Sequence, residues 1–176
     1  MNTISPSLKE IMDMMGIVYG DIVVNMLKNG VRGEPYYSCI VAIESGGIPF
    51  GKYLAHKMCL EMKKITIKFR DADNNILSQP FTEGVGRAGK INSKFLLVDD
   101  IVDSGNTVRY FEENTKFKCF HEFDLATLHW CPSNSGNVKP TYYGELNIVD
   151  SWIQFPWERV ITFDEVWSTL IGHRLV

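Results

Sequence analysis

The sequence predicts an α/β protein in which a mostly parallel central sheet is flanked by helices. Segments with the apolar spacing of amphipathic helices alternate with short apolar runs that are typical of buried strands. The run FLLV at residues 95–98 contains no polar residue, and the run at residues 37–43 leads into the glycine pair Gly46-Gly47. Strands that alternate with helices form βα units, whose strands lie parallel. With 176 residues, 45% of them hydrophobic, the chain is expected to fold as a single domain over residues 1–176.

The elements follow from local patterns, taken in chain order. Residues 7–27 carry apolar side chains at three- and four-residue intervals and predict an amphipathic helix, which Gly16 and Gly20 could divide in two. Residues 37–43 predict a buried strand, residues 48–60 a helix and residues 64–69 a half-exposed strand. The later predictions are strands at residues 95–98, 123–130 and 142–149 and helices at residues 107–113 and 163–171.

Residues 70–90 are polar and rich in glycine, so they predict a long loop or a loose hairpin. Long loops in compact domains are often lids over a site. The letters GVGRAG at residues 84–89 match a dinucleotide-binding pattern, but that pattern requires a preceding strand and a following helix. A polar loop is expected before these glycines, so we interpret them as loop residues.

Composition excludes several classes of function. Lys and Arg number 18 against 21 Asp and Glu, a formal net charge of −3, and this balance argues against nucleic acid as a partner. No apolar stretch is long enough to span a membrane, and the first residues do not resemble a cationic leader, so we expect a cytoplasmic protein without a membrane partner. The four cysteines, Cys39, Cys59, Cys119 and Cys131, are scattered and are expected to be reduced, buried thiols.

Chemistry is concentrated in residues 95–107, where an apolar strand is followed by acids, a short turn and a helix start. Ligands bind beyond the carboxyl ends of strands in open parallel sheets. Asp99 and Asp100 stand there and suit sugar hydroxyls or a magnesium ion. A helix start offers unpaired N–H groups to a phosphate. Helix capping by Asp103 or Ser104 would explain one residue of this segment, but not three carboxylates beside such a turn.

Residues 98–107 resemble the phosphoribosyl-pyrophosphate (PRPP) motif of the type I phosphoribosyltransferases. The resemblance implies the fold of that family, with a mobile lid loop and a small C-terminal hood. It implies that Asp99 and Asp100 bind the ribose hydroxyls and Mg²⁺, and that Asp103 contacts the base as general acid or base. The residues that it assigns to the 5′-phosphate are Ser104, Gly105, Asn106 and Thr107.

Other segments fit the same family in the expected order, over residues 40–158. The loop after the first core strand is similar to the family's pyrophosphate loop and supplies Glu44, Ser45, Gly46 and Gly47. Residues 70–90 occupy the place of the lid. Residues 150–157 resemble the carboxyl-terminal segment of the xanthine-guanine and hypoxanthine enzymes, which implies that Trp152 stacks on a purine and the Ile153 carbonyl contacts an exocyclic group. The implied partners are PRPP, a purine-like base and, since relatives commonly form dimers or tetramers, further copies of the chain.

Two positions depart from the family's pattern. Ser45 stands where many relatives carry an arginine, and residues 125–131 lack the lysine that 6-oxopurine enzymes place at this strand end. Cys131 or Trp130 takes the place of that lysine, and His129 or Lys139 could reach the base instead. The identity of the base therefore stays open. Two alternatives also remain: a PRPP or nucleotide sensor without turnover, and an enzyme for a non-purine base.

Overall fold

The computed structural model describes residues 2–30, 35–70, 76–84, 94–114, 122–147 and 151–158. Three helices are present in these ranges: α1 (Leu8–Asn29), α2 (Gly47–Met58) and α3 (Asn106–Glu113). The first strands are β1 (Asn2–Ile4), β2 (Ile40–Glu44), β3 (Met62–Arg70), β4 (Ile76–Gly84) and β5 (Phe95–Val98). The later strands are β6 (Ile101–Val102), β7 (Phe123–Trp130), β8 (Tyr142–Leu146) and β9 (Ser151–Ile153).

Seven of these strands form the central sheet. The order across the sheet is β4, β3, β2, β5 and β7, and β8 pairs with the far side of β7. The short strand β6 continues the line of β5 and pairs with β7 further along. Every described pairing is parallel except that of β3 with β4. The predicted fold class is confirmed.

Alternate residues of the central strands build two apolar cores on opposite faces of the sheet. The first core lies under α1 and α2 and includes Ile11, Met15, Phe50, Leu54, Leu96 and Val98. The second core lies under α3 and includes Val41, Ile65, Phe95, Leu97, Val108 and Phe111. Both faces are therefore covered, as the purely apolar run of β5 requires.

Helix α1 is continuous, so the predicted helix is confirmed and the two glycines do not divide it. Gly16 and Gly20 lie on its exposed side with open space beside them. The helix begins with a capping box: the Ser7 hydroxyl accepts from the Glu10 N–H at 3.3 Å, and the Glu10 carboxylate accepts from the Ser7 N–H at 2.7 Å. Five buried residues on the opposite side stabilise it across both glycines.

The segment predicted as a loop or loose hairpin contains an ordered strand. β4 pairs antiparallel with β3, from Ile65 opposite Gly84 to Arg70 opposite Ile76. A strand therefore precedes the glycines at residues 84–89, which corrects one premise of the sequence argument against a dinucleotide site. Residues 71–75 and 85–93 lie outside the described residues, so the lid stays a prediction.

A separate two-stranded sheet joins the ends of the described chain. β1 pairs parallel with β9, and Ile4 stands opposite Ile153. The sequence analysis missed β1 because three residues carry too little periodicity. The predicted helix at residues 163–171 lies outside the described residues, and beyond the β1–β9 sheet the hood stays a prediction.

The described cysteines, Cys39, Cys59 and Cys131, carry free thiols. Cys39 and Cys131 are buried as expected, but Cys59 is exposed because it is the left-handed residue that ends α2. Cys119 lies outside the described residues. Of the helices that the structure describes, none combines the length and hydropathy needed to cross a membrane.

Candidate active site

Two adjacent acids stand where β5 ends. The N–H of Asp99 donates to the Ala126 carbonyl at 3.1 Å, and the N–H of Asp100 donates to Oδ1 of Asp99 at 3.0 Å. The Asp100 carbonyl accepts from the N–H groups of both Leu128 and His129, at 3.0 Å each. These bonds hold the turn against β7, so both carboxylates stay at the carboxyl edge of the sheet.

Near the acid pair, the side chains switch from one face of the sheet to the other, both along the line of β5 and β6 and along β7. Val98 packs in the first core and Val102 in the second, although an even spacing would keep them on one face. In β7, Leu128 belongs to the first core while Trp130, two residues later, packs against the second. The acid pair thus interrupts the regular alternation of side chains.

The electrostatics of the acid pair reflect burial and like charge. Burial raises the pKa of Asp99, and the neighbouring Asp100 carboxylate raises it further. Burial raises the pKa of Asp100 to about 6, and the negative charge of Glu158 adds to this effect. Burial also raises the pKa of Glu158, which lies in the short helical turn after β9. The Asp99 and Asp100 carboxylates therefore lie close together in a poorly solvated place, and the more exposed Glu158 adds negative charge beside Asp100.

The glycine loop after β2 packs directly against these acids. A Cβ on Gly46 would overlap the Asp100 carboxylate, and a Cβ on Gly47 would lie 2.5 Å from the Val98 carbonyl. Only glycine permits this approach. Ser45 follows Glu44 through a cis peptide bond. The loop and Asp100 border a cavity of about 470 Å³, lined by Glu44, Ser45, Gly46, Ile48, Pro49, Asp100, Trp157 and Glu158.

Glu44 is held at the edge of this cavity by β3. Its carboxylate accepts from the Thr66 hydroxyl at 2.5 Å and from Lys64 Nζ at 3.2 Å. The Thr66 hydrogen bond, followed by that of Lys64, lowers the pKa of Glu44. Glu44 therefore carries a stable negative charge.

The turn between β6 and α3 forms a second, smaller cavity. Gly105 has φ of +72°, a conformation that favours glycine, and a Cβ there would lie 2.9 Å from the Ser135 carbonyl. Asn106 begins α3, and its N–H donates to the Ser104 hydroxyl at 3.4 Å. The cavity measures about 240 Å³ and is lined by residues 99–105, Thr107 and Val108. Asp100 lines both cavities, so the two belong to one site.

Asp103 lies exposed on this turn. Its Oδ1 accepts a hydrogen bond from Nδ2 of Asn134 at 2.9 Å, and Asn134 belongs to the loop between β7 and β8. The charge of Asp103 also contributes to raising the pKa of the nearby Cys131 thiol, after the larger effect of burial. Sequence reasoning missed Asn134 because nothing in its local pattern indicates a contact 31 residues away.

Trp152 exposes its side chain, whereas Ile153 buries its side chain and can offer only its backbone to a ligand. The Trp152 side chain is 59% exposed, an unusual state for an indole, while the Ile153 side chain is buried. The N–H of Gln154 donates to the Ile4 carbonyl at 2.9 Å. Because backbone groups alternate in direction along a strand, the Ile153 carbonyl points away from β1. Asp150 lies outside the described residues.

The structure distinguishes the residues considered in place of the lysine. The His129 ring is buried against Phe155, with ring centroids 5.7 Å apart, and burial lowers its pKa. Lys139 Nζ lies 5.7 Å from the centre of the Trp130 ring. Cys131 is the residue beside Asp103. Whether His129 or Lys139 contacts the base in place of the lysine stays a prediction.

Comparisons with known proteins show the family to which the chain belongs. Residues 7–159 match the phosphoribosyl transferase domain. The xanthine-guanine phosphoribosyltransferase of Chromohalobacter salexigens is 30% identical over 134 residues, which are 75% of this chain and 75% of that protein.

Solved structures share the fold. A purine phosphoribosyltransferase from Pyrococcus horikoshii Ot3 superposes with a TM-score of 0.68 at 20% identity, over 92% of this chain and 97% of that chain. A hypothetical protein from Neisseria gonorrhoeae, solved with bound ppGpp, gives a TM-score of 0.65 at 19% identity, over 98% of each chain. The extent of the domain match and the identity to a curated relative lead to one conclusion: the chain belongs to the phosphoribosyltransferase family.

Proposed function

We propose that the protein transfers the 5-phosphoribosyl group of PRPP to a ring nitrogen of a purine base, as in purine salvage. The bond between the ribose anomeric carbon and the pyrophosphate oxygen breaks, and a bond from that carbon to the base nitrogen forms. Pyrophosphate leaves with the electron pair of the broken bond, and the base nitrogen loses its proton. The family membership and the xanthine-guanine relative support this substrate class.

The main support for the proposal is that two loops with the chemistry of phosphate binding meet at the Asp100 carboxylate. The acid pair and phosphate turn of residues 99–107 lie against the glycine loop of residues 44–47, and Asp100 lines both cavities. One cavity offers a helix start to a phosphate, and the other offers a glycine loop to a pyrophosphate. A substrate with a phosphate at one end and a pyrophosphate at the other fits this arrangement.

The positions of the polar residues support the roles that the family resemblance implies. Ser104, Gly105, Asn106 and Thr107 would bind the 5′-phosphate through backbone N–H groups and hydroxyls. Asp99 and Asp100 would bind the ribose hydroxyls, and their charge would stabilise the positive character that develops on the sugar. Asp103, exposed at the turn, would accept the proton that the base nitrogen loses.

The acid pair also fits a magnesium ion by its donor chemistry. Mg²⁺ is usually held by one or two carboxylates together with substrate phosphates. Within the described ranges there is no cluster of three His, Cys, Asp or Glu side chains that could hold a metal ion. Asp99 and Asp100 would supply the protein oxygens, and Glu158 faces the same cavity. When bound, the ion would neutralise charge on the leaving pyrophosphate.

The base would bind at Trp152. An exposed indole offers a flat apolar surface for stacking, and the Ile153 carbonyl, which points away from β1, would accept from an exocyclic amino group. The lid is proposed at residues 70–90, because β4 in this range pairs with β3, and β3 adjoins the strand that ends at Glu44. Closure of such a segment would exclude water from the reacting carbon.

Incubation with PRPP, Mg²⁺ and six bases would test the function. The bases are guanine, xanthine, hypoxanthine, adenine, uracil and orotate, and mass spectrometry identifies the nucleotide formed. A purine nucleotide supports the proposal, while a pyrimidine nucleotide indicates the non-purine alternative. Asp103→Asn is expected to lower kcat by about 10²-fold or more with PRPP binding retained, whereas Asp21→Asn, an exposed residue of α1, should leave kcat unchanged.

A nucleotide sensor is the second candidate. The structural neighbour from Neisseria gonorrhoeae contains ppGpp, a nucleotide with two pyrophosphate groups, and shares the fold of this chain. Calorimetry with ppGpp and PRPP separates the two functions. Binding of either ligand without nucleotide formation from any base would favour the sensor.

Self-association also stays a prediction. The family resemblance leads us to expect a homo-oligomer, and light scattering of the purified protein at micromolar concentration would measure its mass. A mass equal to the monomer's 20.1 kDa would contradict this expectation.

A further inference from the structure

We propose that Asn134 is the positioning residue for Asp103, and that it fixes which oxygen of that carboxylate faces the base. The inference rests on the proposed function, because it assigns Asn134 a role in the same proton transfer. Asn134 lies in the loop between β7 and β8, which we call the β7–β8 loop (residues 131–141).

The contact itself is directional. Nδ2 of Asn134 donates to Oδ1 of Asp103 at 2.9 Å, a normal length for a hydrogen bond to a carboxylate. A carboxylate has two oxygens, and this bond engages one of them. Rotation of the carboxyl group is therefore restricted, and Oδ2 remains to accept a proton from a bound base.

The β7–β8 loop is itself held to the phosphate turn, so Asn134 approaches Asp103 from a fixed support. Arg109 Nη1 donates to the Ser135 carbonyl at 3.1 Å, and Nη2 donates to the Ser104 carbonyl at 2.6 Å. One guanidinium thus joins the residue after Asn134 to the residue after Asp103. The planar guanidinium, with N–H donors on separate nitrogens, suits this double contact better than the single ammonium group of a lysine.

Further bonds fix the loop at its start. The N–H of Cys131 donates to the Val102 carbonyl at 2.9 Å, and the N–H groups of Asn134 and Ser135 donate to the Cys131 carbonyl at 3.1 and 3.0 Å. The Trp130 indole donates to the Ser135 hydroxyl at 2.9 Å. The loop therefore keeps its shape through bonds that do not involve the Asn134 side chain.

This distribution of contacts indicates a role in function rather than in folding. Asn134 and Asp103 are both exposed, where a single hydrogen bond contributes little to stability. Proton transfer, in contrast, depends on the position of the accepting oxygen to within a fraction of an ångström. Asparagine suits the position because an uncharged donor orients the carboxylate without forming an ion pair with it.

Three variants of Asn134 and two matched controls test the proposal. Asn134→Ala removes the donor, Asn134→Asp replaces it with a charge that repels Asp103, and Asn134→Gln keeps an amide. Asn137, exposed in the same loop, provides Asn137→Ala and Asn137→Asp as controls for size and charge. Steady-state kinetics with the accepted base give kcat and both KM values, and thermal unfolding gives Tm.

We expect kcat to fall about tenfold in Asn134→Ala and further in Asn134→Asp, as fractions of the 10²–10⁴-fold contribution of a positioned base. KM for PRPP and Tm should stay close to wild type, Asn134→Gln should regain part of the kcat, and both Asn137 variants should behave as wild type.

Equal kcat in Asn134→Ala and Asn137→Ala would overturn the inference while leaving the proposed function intact. A fall in kcat that is matched by a fall in Tm and is not rescued by Asn134→Gln would also overturn it, since the role would then be structural. A wild-type protein that forms no nucleotide would overturn the proposed function, and this inference with it.

Discussion

Tyr37 offers a quantitative test of how the sheet is anchored at the edge opposite the site. Its buried hydroxyl donates to Oδ2 of Asp124 at 2.5 Å and lies 2.9 Å from the Tyr142 hydroxyl. Because a tyrosine has one proton to donate, Tyr142 donates to Tyr37, and Asn25 donates in turn to Tyr142 at 2.5 Å. Lys94 Nζ completes this series of hydrogen bonds, because it lies 2.8 Å from the same Asp124 oxygen.

Tyr37→Phe would remove two hydrogen bonds of this series at once. A bond to a buried charged acceptor contributes about 1.5–3 kcal/mol, and a neutral bond about 1 kcal/mol. We therefore expect the free energy of unfolding to fall by about 3 kcal/mol. For a chain of this length that corresponds to a fall in Tm of about 6–12 °C.

Tyr36→Phe is the matched control. The neighbouring Tyr36 hydroxyl accepts one bond, from Asn25 at 3.2 Å, in a half-buried place, so its loss should cost about 0.5–1 kcal/mol. Urea unfolding of both variants measures the difference. If Tyr37→Phe destabilised the protein no more than Tyr36→Phe, the series of hydrogen bonds would not contribute as argued.

Three further predictions concern other parts of the molecule. Gly46→Ala should weaken PRPP binding at least tenfold by calorimetry, because the new Cβ would displace the Asp100 carboxylate. Gly16→Ala and Gly20→Ala, which meet open space on α1, should each raise the free energy of unfolding by about 0.5–1 kcal/mol in urea, and a loss of stability would contradict the helix geometry. The pKa of His129 is lowered below 6.5, so the unfolded chain binds more protons below that value and stability should fall as the pH decreases through 6.5. His129→Gln should remove this contribution, at most about 1.4 kcal/mol per pH unit, and identical pH profiles of stability for the two proteins would refute it.

The sequence predicted the elements that depend on local periodicity. The bounds of β5 and β7 match the prediction, and in β5 the apolar run FLLV between Lys94 and Asp99 marks both ends of a buried strand. The candidate residues at the carboxyl end of β5 follow from the same logic, since strand ends define where ligands bind.

Long-range contacts could not be predicted in the same way. The bond between Asn134 and Asp103 joins residues 31 positions apart. The continuity of α1 across two glycines depends on packing against the sheet, which outweighs the low helix propensity of glycine. Glu158 reaches the cavity only because the chain turns after β9.

The change of face in β7 has a consequence for protein engineering. If side chains alternated regularly between the two faces after Leu128, residue 130 would lie on the face of the first core and residue 131 on the opposite face. The change of face reverses this, so Trp130 lies on the side of the second core and Cys131 lies beside Asp103. A lysine introduced at residue 131 would therefore start beside Asp103, whereas a lysine at residue 130 would start near Lys139.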